Sequence, residues 1–189
     1  MPHVCPWWGG YFIDNPLRRL FHNPAKIVGP YVGPGMTVMD VGCGMGFCSI
    51  AMAKIVGDSG QVIAIDLQQK MLEVLRQRAA KAGVADRIVL HKCQQNRLGI
   101  VAQADFALAF MMVHEVPDQR RLLAEIQACL KPGGKLLVAE PKIHVSRKAF
   151  GKTVALAGEV GLNVVEEPRV RGCRAVVLLN GQDCRFRSA

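Results

Sequence analysis

The sequence of 189 residues lacks the features that mark several specialised classes of protein. No stretch of 18 residues is apolar without interruption, so no transmembrane helix is predicted. The first 16 residues contain neither a basic region nor an apolar stretch of useful length, and we therefore expect no secretory signal. Internal repeats and low-complexity linkers are also missing. These absences, with a length typical of one domain, favour a single globular unit.

Cysteine is present, but its spacing fits neither a disulfide framework nor a zinc ribbon. The seven cysteines are odd in number, and no two of them are separated by two residues. Several lie in apolar runs, where a thiol behaves as a small hydrophobic group. A reducing compartment is the simplest setting for such a chain, so we predict a cytoplasmic protein without a metal site.

Positive charge is in excess, with 24 lysines and arginines against 15 aspartates and glutamates and a net charge of +9. Such an excess would permit binding to nucleic acid or to an anionic substrate. The basic residues are spread along the chain, however, and form only small pairs such as Arg18–Arg19 and Arg120–Arg121. Solubility with a mild preference for anions is the simpler interpretation, so nucleic acid is not expected as a partner.

Short apolar runs alternate with stretches of helical periodicity, which is typical of a doubly wound α/β sheet. The runs lack polar alternation, as expected for parallel strands with helices on both faces. They are Thr37–Val41, Val62–Asp66, Ile88–His91, Asp105–Phe110, Lys135–Glu140 and Cys173–Leu179. Helices are predicted over Cys48–Val56, Gln68–Ala82, Asp118–Leu130 and Ser146–Val160, with Ser146 as an N-cap and Pro132-Gly133-Gly134 as the stop of the third.

The chain divides into three predicted regions. Residues 1–30 have no strand pattern and are expected to form an irregular arm followed by a short helix around Pro16–Val28. Residues 31–180 are expected to form the α/β domain. Residues 181–189 are a polar tail, and such ends commonly fray.

A glycine-rich turn follows the first predicted strand. It reads Asp40-Val41-Gly42-Cys43-Gly44-Met45-Gly46 and leads directly into a helix. A doubly wound sheet binds its ligand at such a turn, because glycine lets the backbone approach closely. The dinucleotide fingerprint would need a third glycine at position 47, which is Phe47, and it does not require an acid at position 40. A pyrophosphate-binding turn therefore fits poorly.

Asp66 stands at the end of the second predicted strand. An acid at that place can accept hydrogen bonds from two ribose hydroxyls. The glycines and the aspartate would each also suit ordinary turns. Their order of strand, Asp-x-Gly-x-Gly-x-Gly, helix, strand and aspartate nevertheless favours a nucleoside-binding site.

Asp40–Gly46 resembles motif I of the class I S-adenosylmethionine-dependent methyltransferases, and Asp66 resembles their ribose-binding acid. Other blocks agree with the family's fourth strand and active-site loop and with its fifth strand, namely Ala104–Phe110, Val113–Asp118, Leu130–Leu136 and Glu140-Pro141. The resemblance covers about residues 30–180. It is closest to the small-molecule branch that includes quinone-biosynthesis C-methyltransferases and arsenite methyltransferases. It implies a Rossmann-like, mostly parallel seven-stranded sheet that ends in an antiparallel hairpin of Leu162–Glu166 and Cys173–Leu179.

The resemblance implies S-adenosyl-L-methionine as the cofactor. Its methionine end would be held by Asp40 and by the backbone of Gly42, Cys43, Gly44 and Gly46. Asp66 would bind the ribose, Leu67 would pack on the adenine, and Phe110 would lie at the same site. The loop after the third strand lacks the aspartate that relatives use for the adenine amino group. We expect Gln94 and Gln95 to make the adenine contacts instead.

The family directs the methyl group toward the loop after the fourth strand. Here we expect His114 to act as a base that Glu115 orients, with Met111 and Met112 lining the substrate pocket. Alternatively, His114 only orders the loop. Glu140, Lys142 and His144 follow the fifth strand, where they either reach the same cavity, with Lys142 contacting an anionic substrate, or form a solvated cluster.

Both tryptophans of the chain, Trp7 and Trp8, lie in the N-terminal arm. An aromatic lid of this kind would contact the substrate and exclude water. The alternative is a hydrophobic arm packed on the core. His3 and Cys5 present a ligand pair of metal or metalloid type, although two ligands are too few for structural zinc.

These observations predict an enzyme that transfers a methyl group from S-adenosylmethionine to a small molecule. Carbon acids, phenols, thiols and metalloids all remain open as substrates. An RNA-modifying methyltransferase is an alternative that fits the charge but lacks an appended RNA-binding domain. A non-catalytic S-adenosylmethionine-binding protein is the other alternative.

Overall fold

The computed structural model describes residues 22–181, and a seven-stranded sheet forms its centre. In chain order the strands are β1 (Thr37–Val41), β2 (Gln61–Asp66), β3 (Ile88–Lys92), β4 (Ala104–Phe110), β5 (Leu130–Pro141), β6 (Leu162–Glu166) and β7 (Cys173–Asn180). Across the sheet their order is β3-β2-β1-β4-β5-β7-β6. The strand order reverses between β1 and β4, which is where the ligand crevice of such a sheet opens.

Helices cover both faces of the sheet. They are α1 (Pro24–Val28), α2 (Ser49–Val56), α3 (Gln69–Lys81), α4 (Gln119–Cys129) and α5 (Arg147–Glu159). Residues of α2 and α3 pack with Val38 of β1, whereas residues of α4 and α5 pack in the layer that contains Met39. Successive strand residues point to opposite faces, so both must be apolar when both faces are covered. The doubly wound α/β prediction is confirmed.

The last two strands form the hairpin that the family resemblance implied. β7 is antiparallel to β5 and to β6, while β1 to β5 pair in parallel. The composition of Cys173–Leu179 alone predicts a parallel strand, and this prediction is wrong. The loop from β6 to β7 is too short for a crossover helix, so the chain returns antiparallel.

Local capping sets the helix boundaries, which agree with the sequence-based ones to within one residue for α2 to α5. Ser146 caps α5 by accepting a hydrogen bond from the Ala149 amide at 3.1 Å. α4 ends at Cys129, well before Pro132, because Leu130 is already extended and pairs with β4. The predicted stop at Pro132-Gly133-Gly134 is instead an irregularity inside β5.

The first described helix, α1, covers only the end of the helix predicted around Pro16–Val28. Residues 22 and 23 are not helical, and Asn23 caps α1 by accepting a hydrogen bond from the Lys26 amide at 3.3 Å. Val28 is fully buried in the layer of α2 and α3, so the core already includes this helix. The rest of the predicted arm, residues 1–21, and residues 182–189 of the predicted tail lie outside the described residues.

None of the helices found between residues 22 and 181 combines the length and the apolar character that crossing a membrane requires.

Candidate active site

A cavity of about 1080 Å³ lies at the carboxyl ends of the parallel strands. Its wall is built from the turn after β1, the end of β2 and the loops after β3, β4 and β5. Most of the predicted site residues line it: Asp40, Gly42, Cys43, Gly44, Asp66, Leu67, Gln94, Gln95, Phe110, Met111, Met112, His114 and Glu115. Gly46 and Lys142 do not line it, and Trp7 and Trp8 lie outside the described residues.

The glycines of the turn after β1 have different physical functions. Gly44 has a φ of +52°, faces the cavity, and has nothing within 4 Å of the place where a Cβ would stand. Gly46 has a φ of +86°, and a Cβ there would come within 2.1 Å of Leu75 Cδ1 on α3. Gly44 therefore leaves room for a ligand, whereas Gly46 allows the turn to pack against α3.

Asp40 is buried at the base of the cavity. Its Oδ2 accepts a hydrogen bond from the Ser49 hydroxyl at 2.5 Å, and both residues are almost fully buried. Ser49 is the first residue of α2 and was not predicted as part of the site. Its position nine residues after Asp40 gave no signal, because the contact depends on how tightly the turn folds back.

Asp66 is fixed by the backbone on both sides of its carboxylate. Oδ2 accepts a hydrogen bond from the Gly44 amide at 2.9 Å, and Oδ1 accepts one from the Gln68 amide at 2.8 Å. Burial raises the pKa of Asp66, while the bonds from Gln68 and Gly44 oppose that shift. A carboxylate has about four acceptor positions, so acceptor capacity remains for hydroxyl groups in the cavity.

The loop after β3 closes the side of the cavity next to Asp66. The Gln94 amide donates to the Arg97 carbonyl at 2.9 Å, and the Arg97 amide donates back at 3.2 Å, which forms a tight turn. Cys43 and Cys93 lie on the same wall. Burial raises the pKa of Cys93 to about 11 and that of Cys43 well above its ordinary value, so both are neutral thiols at pH 7.

His114 lies in a short 3-10 turn, Val113–Glu115, after β4. Its Nδ1 forms a short hydrogen bond with Oε2 of Glu140, and its side chain is 27% exposed. Glu140 is buried near the end of β5, and its other oxygen accepts a hydrogen bond from the Val113 amide at 2.8 Å. The hydrogen bond that His114 donates to Glu140 is the main cause that raises the pKa of His114, against the lowering effect of burial.

Glu140, and not the predicted Glu115, is therefore the carboxylate that orients His114. Glu115 lines the cavity, and its charge makes a smaller contribution to the raised pKa of His114. The reason is the parallel pairing of β4 with β5, which carries the residues just after Phe110 past Glu140. A polar residue at the end of a buried strand was the available signal in the sequence.

The remaining predicted substrate residues separate into two groups. Met111 has a φ of 59° and is held by its amide, which donates to the Ala139 carbonyl at 2.7 Å. Met112 packs so closely on Gly42 that a Cβ there would lie 2.7 Å from Met112 Cγ. Lys142, in contrast, is exposed outside the cavity and binds Gly172 through its backbone amide.

Two histidines frame the mouth of the cavity. The His144 ring lies parallel to the His114 ring, with 6.0 Å between the ring centroids. His22, the first described residue after the arm, packs edge-on against Phe110 at 5.8 Å and contacts the Arg171 carbonyl through Nε2 at 2.7 Å. His3 and Cys5 of the predicted arm lie outside the described residues.

Within residues 22–181, no three His, Cys, Asp or Glu side chains are grouped closely enough to hold a metal ion. None of the five cysteines in that range forms a disulfide; they are Cys43, Cys48, Cys93, Cys129 and Cys173. The described cysteines therefore provide no three-thiol site for a metalloid.

The sheet order and the cavity together define a Rossmann-like nucleoside-binding domain, and comparison with known proteins identifies its family. Residues 33–166 match the family described as a methyltransferase domain. The chain belongs to this family, and the resemblance to the class I S-adenosylmethionine-dependent methyltransferases seen in the sequence is confirmed.

Similar proteins with curated names include two from quinone biosynthesis. The chain is 31% identical over 136 residues to a ubiquinone biosynthesis O-methyltransferase of Xanthomonas axonopodis, covering 70% of this chain and 55% of that protein. It is 36% identical over 123 residues to the ubiquinone/menaquinone biosynthesis C-methyltransferase UbiE of Cellvibrio japonicus, covering 63% and 49%. The chain thus spans about half the length of these curated relatives.

Solved structures share the fold. A methyltransferase from Aquifex aeolicus, dependent on S-adenosylmethionine, superimposes with a TM-score of 0.84 at 24% identity, over 94% of this chain and 100% of that one. TrmN from Thermus thermophilus gives 0.66 at 22% identity, over 83% and 48%, and the cyclase SpnF gives 0.68 at 21% identity, over 79% and 61%. Because one of them is named a cyclase, the fold alone does not fix the reaction.

S-adenosylmethionine is the cofactor of this family, and the residues present fit it. Asp66 retains acceptor capacity for the ribose hydroxyls, and the open side of Gly44 leaves space for the backbone to approach a ligand. Gln94 and Gln95 occupy the wall where the adenine contacts are expected.

Proposed function

We propose that the protein catalyses methyl transfer from S-adenosylmethionine to a small molecule. The observation that carries this proposal is that Asp66, the glycine turn and His114 share one cavity. A nucleoside-binding wall and a basic side chain then meet at the place where a methyl group would be transferred.

Different residues of the chain would contact different parts of the cofactor. Asp66 would hold the ribose, Asp40 and the turn from Gly42 to Gly44 would face the methionine portion, and Gln94 and Gln95 would face the adenine. When bound, the cofactor supplies a methyl group on a positively charged sulfur, and transfer leaves a neutral thioether. Catalysis then depends on placing the nucleophile in line and excluding water.

His114 supports a substrate that must lose a proton. Phenols and carbon acids need a base near neutral pH, whereas a thiolate does not. The named relatives are an O-methyltransferase and a C-methyltransferase of quinone biosynthesis. We infer a small, ring-bearing phenol or carbon acid as the substrate, and the apolar wall formed by Met111, Met112 and Phe110 suits such a ring.

The arm completes the proposal. His22, the first described residue, lines the cavity, and we propose that Trp7 and Trp8, which precede it in the chain, cover the substrate. The free thiols support a reducing compartment, so we also propose a cytoplasmic protein. Nucleic acid is not proposed as a partner, because the basic residues form no long run in the sequence.

Methyl-labelled S-adenosylmethionine tests this function directly. The full chain is incubated with separate panels of phenols, ring carbon acids, small thiols and arsenite, and labelled products are identified by mass spectrometry. We expect label in the first two panels and much less label with the Asp66→Ala variant at the same cofactor concentration. Label only on thiols or arsenite would contradict the substrate class. Calorimetric binding of the cofactor without any labelled product would favour the non-catalytic alternative.

A further inference from the structure

We propose that Glu140 is the positioning residue of the reaction, which holds His114 in the tautomer whose Nε2 accepts the substrate proton. This inference rests on the proposed function and deepens it. It assigns the role of base to His114 and the role of positioning that base to Glu140, which lies 26 residues later in the chain.

The position of Glu140 calls for an explanation. Its side chain is 2% exposed, and a buried carboxylate is destabilising unless hydrogen bonds compensate it. Both of its oxygens are compensated by one short segment: Oε1 by the Val113 amide and Oε2 by His114 Nδ1. Both of these hydrogen bonds of the Glu140 carboxylate therefore hold the loop after β4.

The hydrogen bond to Glu140 fixes the proton on the imidazole. A carboxylate only accepts hydrogen bonds, so Nδ1 of His114 must carry a hydrogen and donate it. In the neutral ring the other nitrogen, Nε2, is then the free acceptor. His114 also lines the cavity, so a base is presented to a bound substrate without any further rearrangement.

The loop that carries His114 is held on several sides. The Met111 amide is tied to Ala139 at 2.7 Å, and Gln119 Nε2 donates to the Val113 carbonyl at 3.2 Å. Thr153 of α5 donates to Gln119 at 2.7 Å, which links the loop to the outer helix layer. Met111 keeps its unfavourable φ of 59° under these restraints, and such strained residues cluster at functional sites.

The charged and titratable groups around His114 come from three segments. Glu140 of β5 makes the hydrogen bond, Glu115 lies in the same 3-10 turn, and the parallel His144 ring approaches from the loop after β5. The Glu140 hydrogen bond and both negative charges favour protonated His114, which raises its pKa. Protonated His114 cannot accept a proton, so the acid limb of the rate profile should lie above the pH expected for an ordinary histidine.

The proposed proton step is balanced within the site. The O–H or C–H bond of the substrate breaks, and its proton moves to Nε2 of His114. The electron pair left on oxygen or carbon forms the bond to the methyl group, while the bond between that methyl group and the cofactor sulfur breaks. The Nδ1 proton stays in its hydrogen bond with Glu140, and the imidazolium later releases the Nε2 proton to solvent.

Nitrogen-15 NMR of the histidine rings tests the positioning without any need for turnover. The full chain is labelled, and the His114→Gln spectrum assigns the His114 signals. We expect neutral His114 to carry its proton on Nδ1 and to titrate above an ordinary histidine. A neutral ring with the proton on Nε2 in the wild-type protein would overturn the proposal.

Glu140→Gln provides the second test. The Val113 amide needs an acceptor, so the glutamine oxygen faces it and the NH₂ group faces Nδ1. Nδ1 then becomes the acceptor and Nε2 carries the proton. We expect the flipped tautomer, a lower pKa for His114, and a kcat that falls by about 10²–10⁴-fold while KM for the cofactor stays within about twofold.

The matched control is Glu159→Gln. It removes the same charge from an exposed ion pair between Glu159 on α5 and Arg120 on α4. It should leave the spectrum and kcat unchanged. Retention of wild-type kcat and tautomer by folded Glu140→Gln would refute the role of Glu140 while leaving methyl transfer intact. The predicted wild-type tautomer without methyl transfer to any acceptor would instead refute the proposed function.

Discussion

The wall of the cavity that follows β1 and β2 is held in place by backbone amides, whereas the wall that follows β4 and β5 is held by a pair of side chains. On the first wall, Asp66 is held by two amides, from Gly44 and Gln68. On the second, His114 is held by a buried glutamate from another strand. The first wall depends on contacts between the glycine turn and the strand that follows it, and the second on pairing of β4 with β5.

This contrast separates two kinds of vulnerability. The wall held by backbone amides is sensitive to any added atom, because the glycines at positions 42 and 46 are packed tightly. The wall held by side chains tolerates shape changes but depends on the chemistry of single groups. Substitutions on the two walls should therefore fail in different assays.

The largest effect is expected on the side-chain wall. His114→Ala removes the proposed base and should lower kcat by about 10²–10⁴-fold. The wild-type rate should rise with pH through the raised pKa of His114, since only the neutral ring accepts a proton. Steady-state kinetics across pH check both expectations. A wild-type profile without that acid limb would argue against a base at this position.

The next largest effect is expected at the glycine turn after β1, where substitutions should lower the free energy of unfolding. Gly46→Ala should lower the free energy of unfolding by about 2–5 kcal/mol, since left-handed backbone strain adds to overpacking against buried Leu75. Gly44→Ala is the matched control and should cost only about 1–2 kcal/mol, because open space surrounds its Cβ. Urea unfolding of both variants checks the difference. An equal loss of unfolding free energy in the two variants would mean that the Leu75 side chain moves to make room for the new methyl group.

Asp66→Ala tests the polar anchor of the backbone wall. Loss of charge-assisted hydrogen bonds to the ribose should weaken cofactor binding by about 1.5–3 kcal/mol, measured by calorimetry. Asp86→Ala removes an exposed aspartate outside the cavity and should bind the cofactor normally. An unchanged dissociation constant for folded Asp66→Ala would refute the ribose assignment.

The smallest effect is expected from the arm. Deletion of residues 1–12 should leave the domain folded, because the core elements begin at Pro24 and Thr37. Turnover should fall about tenfold while cofactor affinity stays within about twofold, because the arm is proposed to cover the substrate. Circular dichroism, kinetics and calorimetry measure the three quantities. Normal turnover by the truncated protein would exclude a lid, and failure to fold would place the arm in the core.

The same contrast explains what could be predicted from the sequence. Six of the seven described strands, the boundaries of α2 to α5 and Asp66 followed from periodicity and from a motif confined to residues 40–66, whereas β6 followed only from the family resemblance. The partnership of Glu140 with His114 did not, because it arises only when β4 and β5 pair. The direction of β7 was given wrongly by composition, since burial makes parallel and antiparallel strands equally apolar.

The position of β7 has a consequence for synthesis of the chain. β7 follows the other six described strands along the chain, yet it lies between β5 and β6 in the finished sheet. Until β7 emerges, β5 has an unpaired edge and β6 has no neighbouring strand. The nascent domain therefore exposes apolar strand residues next to Glu140 and His114. Asn180, at the end of β7, then donates to the carbonyls of Leu130 at 3.0 Å and Lys131 at 3.2 Å. These hydrogen bonds join the end of β7 to the start of β5. A chain that is released before Asn180 would expose the edge of β5 to other nascent chains.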